Sequence, residues 1–208
     1  MLPFRTVLML PCACRYRRPD RYSGPMPPYA IRIFGDPVLK QQAAPVTDID
    51  GSLARLSEDM IETMRAAPGL GLAAPQVGVM KRLFVYQLPD DDTARVLVNP
   101  VISEARGEWE FEEGCLSVPG LYFPIVRPNE VHVTGFDLDG NEVSIEADAL
   151  PGRLFQHELD HLDGKLLLEY LEPEQRKAAL RELRRRVMEG DPSGGQAARA
   201  KKADHRGL

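Results

Sequence analysis

The sequence predicts an α+β protein, on three observations. Segments rich in β-branched and aromatic residues cluster in the middle of the chain, at 82–88, 96–102, 131–137 and 142–147, which is a strand signature. Helical periodicity precedes and follows that cluster instead of alternating with it. Asp139-Gly140 separates the last two segments and is a strong hairpin signal, which makes that pair antiparallel. Strands and helices segregated along the chain argue against a regular βαβ winding.

The elements follow in order. Besides Arg5, the chain up to residue 25 carries Cys12, Cys14 and a later cluster of four arginines (Arg15, Arg17, Arg18, Arg21). Its apolar run from Thr6 to Leu10 weakly imitates a secretory signal. However, Pro11 and Cys12 interrupt the run, the arginines come after it, and no Ala-x-Ala site follows. Residues 1–25 therefore read as a disordered extension, or as the result of a start assigned upstream of Met26. A single domain is expected over 26–189. Ile31, Ile33 and Phe34 form a short apolar entry, and Asp36-Pro37 and Ala44-Pro45 punctuate loops. Leu53, Leu56, Met60 and Met64 recur at helical spacing, with Glu58, Asp59 and Glu62 on other faces. This predicts a helix over 49–66, ended by Pro68-Gly69. A second helix is expected from Pro151, with Gly152 delaying its start. A third is expected over 173–189. The tail 190–208 is polar and rich in Gly, Ala and Lys, and reads as disordered.

Composition sets bounds. A chain of 208 residues with 43% hydrophobic and 27% charged residues is ordinary for a globular protein. A net charge of −5 gives no reason to expect sequence-specific nucleic-acid binding. No run approaches the roughly 20 apolar residues of a membrane span. Three cysteines make no disulfide framework. A cytoplasmic protein is the expectation.

Candidate chemistry concentrates in three segments. The sharpest is Gln156-His157-Glu158-Leu159-Asp160-His161, which uses two of the four histidines. On a helix, side chains at i and i+4 share a face. Both imidazoles can then bind one metal ion, and the carboxylate beside the first can serve water as general base. A catalytic site of this kind takes three protein ligands. Cys115, in Glu113-Gly114-Cys115-Leu116-Ser117, is the strongest candidate for the third, since thiolate suits a borderline-soft divalent metal. A nucleophilic cysteine and a merely buried one are the competing readings; His-x-x-x-His spacing favours metal. The third segment is Gly69-Leu70-Gly71-Leu72-Ala73-Ala74-Pro75-Gln76. A phosphate loop would need a following Lys-Ser/Thr, which is missing. Small residues instead point to close backbone approach to a substrate or strand. Gln76 either offers an amide N–H to an oxyanion or is a structural loop amide.

Gly-x-Gly-Leu-Ala-Ala-x-Gln at 69–76, Glu-Gly-Cys-Leu-Ser at 113–117 and Gln-His-Glu-x-Asp-His-Leu-x-Gly at 156–164 occur in that order. Together they resemble the three signatures of the peptide deformylases, with likeness from about Met26 to about Val187. The resemblance implies mainly antiparallel sheets packed around a central metal-binding helix, with an N-terminal and a C-terminal helix. It implies Cys115, His157 and His161 as metal ligands, with water in the fourth position. Glu158 would take a proton from that water and deliver it to the leaving amine. Gln76 and the Leu116 backbone N–H would hold the oxyanion. The implied substrate is an N-formylmethionyl peptide, and the products are formate and a free N-terminal methionine. Gly71 would pair with the peptide as a strand would. Leu70, Phe111, Leu150 and Leu154 would line the methionine pocket, although each also suits a plain core. The implied metal is Fe²⁺, with Zn²⁺, Ni²⁺ or Co²⁺ able to occupy the site. By family position, Glu113 and Arg127 would pair behind the cysteine loop. At Tyr122 other members often carry arginine, so the rim contacts do not carry over. Asp160 and Asp163 read as solvent-facing or supporting, with no assigned role.

The last helix carries Arg176, Lys177, Arg181, Arg184, Arg185 and Arg186 beside an apolar row of Leu180, Leu183 and Val187. This is either a solvated face or a contact to the ribosome, where formylated chains emerge. Two rival functions remain. A zincin-type metallopeptidase usually takes its third ligand downstream of the second histidine, where only His205 follows. A catalytically inactive deformylase-like binding protein is opposed by the intact ligand set and Glu158.

Overall fold

The computed structural model describes residues 8–9, 29–67 and 69–189. In chain order these form strand β1 (Leu8–Met9), helix α1 (Gly51–Ala66), and strands β2 (Gly71–Ala73), β3 (Leu83–Tyr86) and β4 (Arg95–Arg106). Strands β5 (Trp109–Cys115), β6 (Val118–Arg127), β7 (Glu130–Phe136) and β8 (Glu142–Asp148) follow, then helices α2 (Ala149–Leu162) and α3 (Pro173–Met188). Six strands make one sheet in the order β1-β8-β7-β4-β3-β2, while β5 and β6 make a separate ribbon. All pairings are antiparallel except β1 with β8. The α+β class is as the sequence predicts. Most of the expected extension over 1–25 and the whole tail over 190–208 lie outside the described residues. No helix among the described residues is long and apolar enough to cross a membrane.

Three apolar clusters hold the elements together. α2 lays Leu154, Phe155, Leu159 and Leu162 onto the main sheet. Phe155 is fully buried, with its ring centroid 6.0 Å from that of Phe84 and 5.0 Å, edge-on, from that of Tyr86. α1 buries Leu53, Met60 and Met64 against Leu72, Leu83 and Val85 of β2 and β3. Its start is fixed by Asp50, whose Oδ1 accepts from the Ser52 and Leu53 N–H groups at 3.0 Å each, a standard N-cap. The ribbon packs Val118 and Ile125 against Leu166–Leu168 and against Ala179 and Leu183 of α3. α2 is thus central. Its apolar face meets the sheet, and its polar residues Arg153, His157 and Asp160 bond to side chains of the ribbon.

The structure corrects three expectations. β2, β5 and β6 were not predicted as strands. β5 opens on a short alternation of aromatic and acidic residues, Trp109 to Glu112, that ends at Glu113-Gly114, and β6 contains Pro119, Gly120 and Pro124, which weaken its strand signal. β2 is only three residues long and contains Gly71. The third correction concerns α2, which starts at Ala149 rather than at or after Pro151. Ala149 takes a positive φ of 46°, and its N–H bonds the Asn129 carbonyl at 3.1 Å. Gly152 does not delay the helix. It is buried where a Cβ would stand 3.0 Å from the Ala147 carbonyl oxygen and 3.1 Å from that of Asn129.

This crowding generates a test. Gly152→Ala gains helix propensity of about 1 kcal/mol, but its methyl meets backbone atoms that cannot rotate away. Overpacking costs about 1–3 kcal/mol and should win. Chemical denaturation should show a lower midpoint for the variant; an unchanged or higher midpoint would refute the packing argument.

Candidate active site

Cys115 ends β5, at a register shift between Gly114 and Cys115. Such a bulge re-aims the side chain that follows it. The thiol is 9% exposed, and its sulfur accepts from the Ser117 N–H at 3.4 Å. On α2, His161 Nε2 lies 3.2 Å from Cys115 Sγ. His157 Nδ1 lies 3.0 Å from Glu113 Oε2. A carboxylate only accepts, so Nδ1 carries the hydrogen and Nε2 is left as the ligand atom. The two imidazole rings meet edge-on with centroids 5.0 Å apart.

Gln76 is held on two sides. Its Oε1 accepts from the Ala73 N–H at 2.8 Å, which leaves its amide donors for Ser117 Oγ at 3.1 Å and, weakly, for Cys115 Sγ at 3.9 Å. Leu116 follows the cysteine and packs into the α1 cluster. Glu158 is 3% exposed, and its Oε2 has no hydrogen-bond partner. Burial pushes its carboxyl up to about 7. Gly71 lies against it: a Cβ there would stand 2.8 Å from Glu158 Cδ and 2.8 Å from Leu154 Cδ1. β2 is the edge strand of the main sheet, beside β3, so a sheet edge whose Ala73 N–H is taken by Gln76 adjoins the carboxylate.

The remaining pocket candidates scatter more widely. Leu70 and Leu154 pack in one cluster, and Leu150 is half-buried in the first turn of α2. Phe111 is 41% exposed on the ribbon, under the Arg153 guanidinium. The structure thus brings Gly71, Leu154 and Glu158 into one place, while Phe111 lies on the ribbon against Trp109 and Arg153. Tyr122 stands opposite Gly114 in the ribbon, its ring against the face where Gly114 has no side chain.

Behind the ligands lies a buried ionic network. Glu113 Oε1 accepts from Arg127 Nε at 2.7 Å and from Arg153 Nη1. Its Oε2 accepts from Arg127 Nη2 at 3.1 Å as well as from His157. Arg127 Nη1 continues to Asp160 Oδ2 at 2.7 Å and to the Tyr170 hydroxyl at 3.2 Å. The Glu113–Arg127 pair was expected and Asp160 was left open as solvent-facing or supporting; Arg153 and Tyr170 were not foreseen. Asp160 is therefore a network member and not solvent-facing, and Asp163 pairs with Arg82 at 2.7 Å. Helical spacing was the available signal, because Arg153 stands four residues before His157. Burial opposes charge on Glu113, but hydrogen bonds from His157 and Arg127 hold its carboxyl at about 2. Burial likewise opposes charge on His157, yet interactions with Cys115 and Glu113 hold it well above its ordinary value.

The donor set fits a metal ion. Sγ of Cys115 and one ring nitrogen each of His157 and His161 lie within 4.8 Å of one another. Tetrahedral bonds of about 2.3 Å to sulfur and about 2.0 Å to nitrogen put such donors roughly 3.5 Å apart, close to the 3.2 Å separating Cys115 Sγ from His161 Nε2. A thiolate and two imidazoles select a borderline-soft divalent ion.

A Cys-His-His cradle backed by a buried carboxylate, set between a helix and a sheet edge, defines the class of metal-dependent hydrolases. Comparison narrows the class. Residues 28–177 match the model of the polypeptide deformylase family, and the chain belongs to that family. It is 46% identical over 175 residues to the peptide deformylase of Acidothermus cellulolyticus, covering 84% of this chain and 93% of that protein. Among solved structures, the peptide deformylase of Legionella pneumophila superposes with a TM-score of 0.73 at 44% identity, covering 76% of this chain and 94% of that one. That of Synechococcus elongatus, solved in complex with actinonin, gives 0.73 at 38% identity, covering 82% and 94%.

Gly71 supplies the test of this geometry. Gly71→Ala would drive a methyl into the Glu158 carboxylate and Leu154. Displacing a reacting group by about 1 Å costs on the order of 10²-fold in rate. Hydrolytic kcat/KM should fall by about that factor while melting temperature changes little. Undiminished turnover would show that the Gly71–Glu158 contact is irrelevant to catalysis.

Proposed function

We propose that residues 26–189 are a catalytic domain that hydrolyses the N-formyl group of formylmethionyl peptides, releasing formate and a free amino terminus. The observation that carries this reading is Glu158, buried with an unpartnered oxygen beside both the three-donor cradle and the edge of β2. Cys115, His157 and His161 would hold the metal, and Fe²⁺ is our choice among Fe²⁺, Zn²⁺, Ni²⁺ and Co²⁺. When bound, such an ion supplies Lewis acidity toward water and the formyl oxygen. The chain's own residues do the rest. The free edge of β2 at Gly71 takes the peptide backbone as an added strand, with Leu70, Phe111, Leu150 and Leu154 receiving the methionine side chain. Glu158 removes a proton from the attacking water, whose oxygen bonds to the formyl carbon. The Gln76 amide and the Leu116 N–H hold the negative charge that develops on the formyl oxygen. Glu158 then passes the proton to the nitrogen as the C–N bond breaks. The substrate class makes the cytoplasm the working compartment.

Two experiments test this. Glu158→Ala should lower formate release from a formyl-Met peptide by at least about 10²–10⁴-fold while leaving the metal stoichiometry unchanged; retained turnover would remove Glu158 from its role. Protein purified without oxygen should contain iron and lose activity in air, and nickel should restore air-stable activity. High, air-stable activity with zinc alone would overturn the choice of Fe²⁺.

We also propose that α3 meets the ribosome. Arg176, Lys177, Arg181 and Arg184 line one groove with Leu171 and Leu180, whereas Arg185 and Arg186 are tied to Glu182. Deleting α3 would remove the buried Ala179 and Leu183, so charge reversal is the cleaner test. Replacing the four groove cations with glutamate should abolish co-sedimentation with ribosomes; undiminished binding would refute the contact.

A further inference from the structure

The three candidate ligands come from two elements that share no backbone pairing. Cys115 belongs to the β5–β6 ribbon, which is not hydrogen-bonded to the main sheet, and both histidines belong to α2. Side-chain contacts must therefore set the distance between them. Arg153 lies on α2 one turn before His157, on the same face, and is 3% exposed. Its guanidinium reaches the ribbon at three points. Nη1 donates to the Glu113 carboxylate and, at 3.0 Å, to the Ile125 carbonyl, and Nη2 donates to the Trp109 carbonyl. Trp109 and Glu113 belong to β5 and Ile125 to β6, so both strands are held. The cation also lies 4.9 Å from the centroid of the Trp109 ring, a favourable placement.

We propose that Arg153 is a positioning residue that clamps α2 to the ribbon and, through Glu113, fixes the ring of His157 for ligation. The proposal rests on the metal-site reading above. Arg127 cannot substitute for it, because its Nε and Nη2 are spent on Glu113 and its Nη1 on Asp160 and Tyr170. Among the described residues, only Arg153 joins the histidine-bearing helix both to Glu113 and to backbone carbonyls of both ribbon strands. Lysine keeps the charge but lacks the planar fork that serves several acceptors at once, so Arg153→Lys should rescue only in part.

The test uses the full chain stripped of metal and titrated with Co²⁺, followed by thiolate-to-cobalt absorption. Arg153→Met should weaken Co²⁺ binding about 10–100-fold, the usual cost of losing a residue that orients a ligand, with an altered absorption band. Arg153→Lys should fall between it and the wild type. Arg82→Met breaks an ion pair to Asp163, just past the C-terminal end of α2, and should stay within about threefold, as a partly exposed pair allows. Wild-type affinity and spectrum in both Arg153 variants would overturn the proposal. A second measurement needs no variant: nitrogen NMR of the zinc-loaded wild type should find the His157 proton on Nδ1, and a proton on Nε2 would overturn the proposal equally. If the wild type releases no formate while the Co²⁺ shifts appear as expected, the deformylase reading falls and the role of Arg153 stands.

Discussion

The structure depends on one buried carboxylate. Glu113 sits at 6% exposure inside a two-stranded ribbon and accepts from two guanidinium groups and an imidazole. Removing such ions from water costs several kcal/mol each unless pairing and hydrogen bonding are complete. Here two acids, Glu113 and Asp160, face two arginines, Arg127 and Arg153, so the four-membered set is formally neutral. Breaking one partner would leave an uncompensated charge, at about 3–5 kcal/mol. An all-apolar replacement could be as stable, but it would leave the His157 ring without an acceptor for Nδ1–H. The network specifies geometry more than it adds stability.

That geometry lets a short edge strand and a helix share one site. β2 is three residues long, flanked by small residues that bring its backbone close to α2. Gln76 closes the turn after β2 by accepting from the Ala73 N–H, so the residue that ends the strand is also aimed at Cys115 and Ser117. Sheet edge, amide and thiol are therefore tied to one another through the Gln76 side chain, and the helix that carries the carboxylate is tied to the ribbon by side-chain bonds to Glu113.

What could be read in the sequence follows the same logic. Helices α1 and α3 and the four apolar strands were legible because burial imposes a period on their side chains. The two histidines and Glu158 could be picked out as candidates because i, i+4 spacing is local, whereas Cys115 was a candidate through its own segment. The ribbon was not, since Glu113 is buried by partners far off in the chain, and an acid in a strand reads as loop until Arg127 and Arg153 are seen beside it. Asp160 could not be assigned between a solvent-facing and a supporting place for the same reason: its partners, Arg127 and Tyr170, lie 33 and 10 residues away. Gly152 misled because propensity is a local rule, while its actual constraint is two carbonyls from other elements.

The distribution of unpaired polar atoms carries the last step. Among the described residues, the buried side-chain atoms without a partner are Asp91 Oδ2, Arg153 Nε, Glu158 Oε2 and His161 Nδ1, the last two at the candidate site. Each such atom costs about 1–3 kcal/mol, and a fold that satisfies Glu113 four times over has the means to satisfy these too. Glu113 has no free lone pair to offer a reactant, and Glu158 does. Of the two carboxylates, Glu113 bonds His157 and is saturated by donors and held at about 2, while Glu158, the next residue after His157, is isolated by burial and raised to about 7. Their environments push the same functional group toward opposite tasks: one is a permanent anion that orients a ligand, and the other is a group able to gain and lose a proton. The helix that supplies Glu158 and the strand that supplies Glu113 meet at Arg153, which makes the clamp the point where the support of the site and its chemistry join.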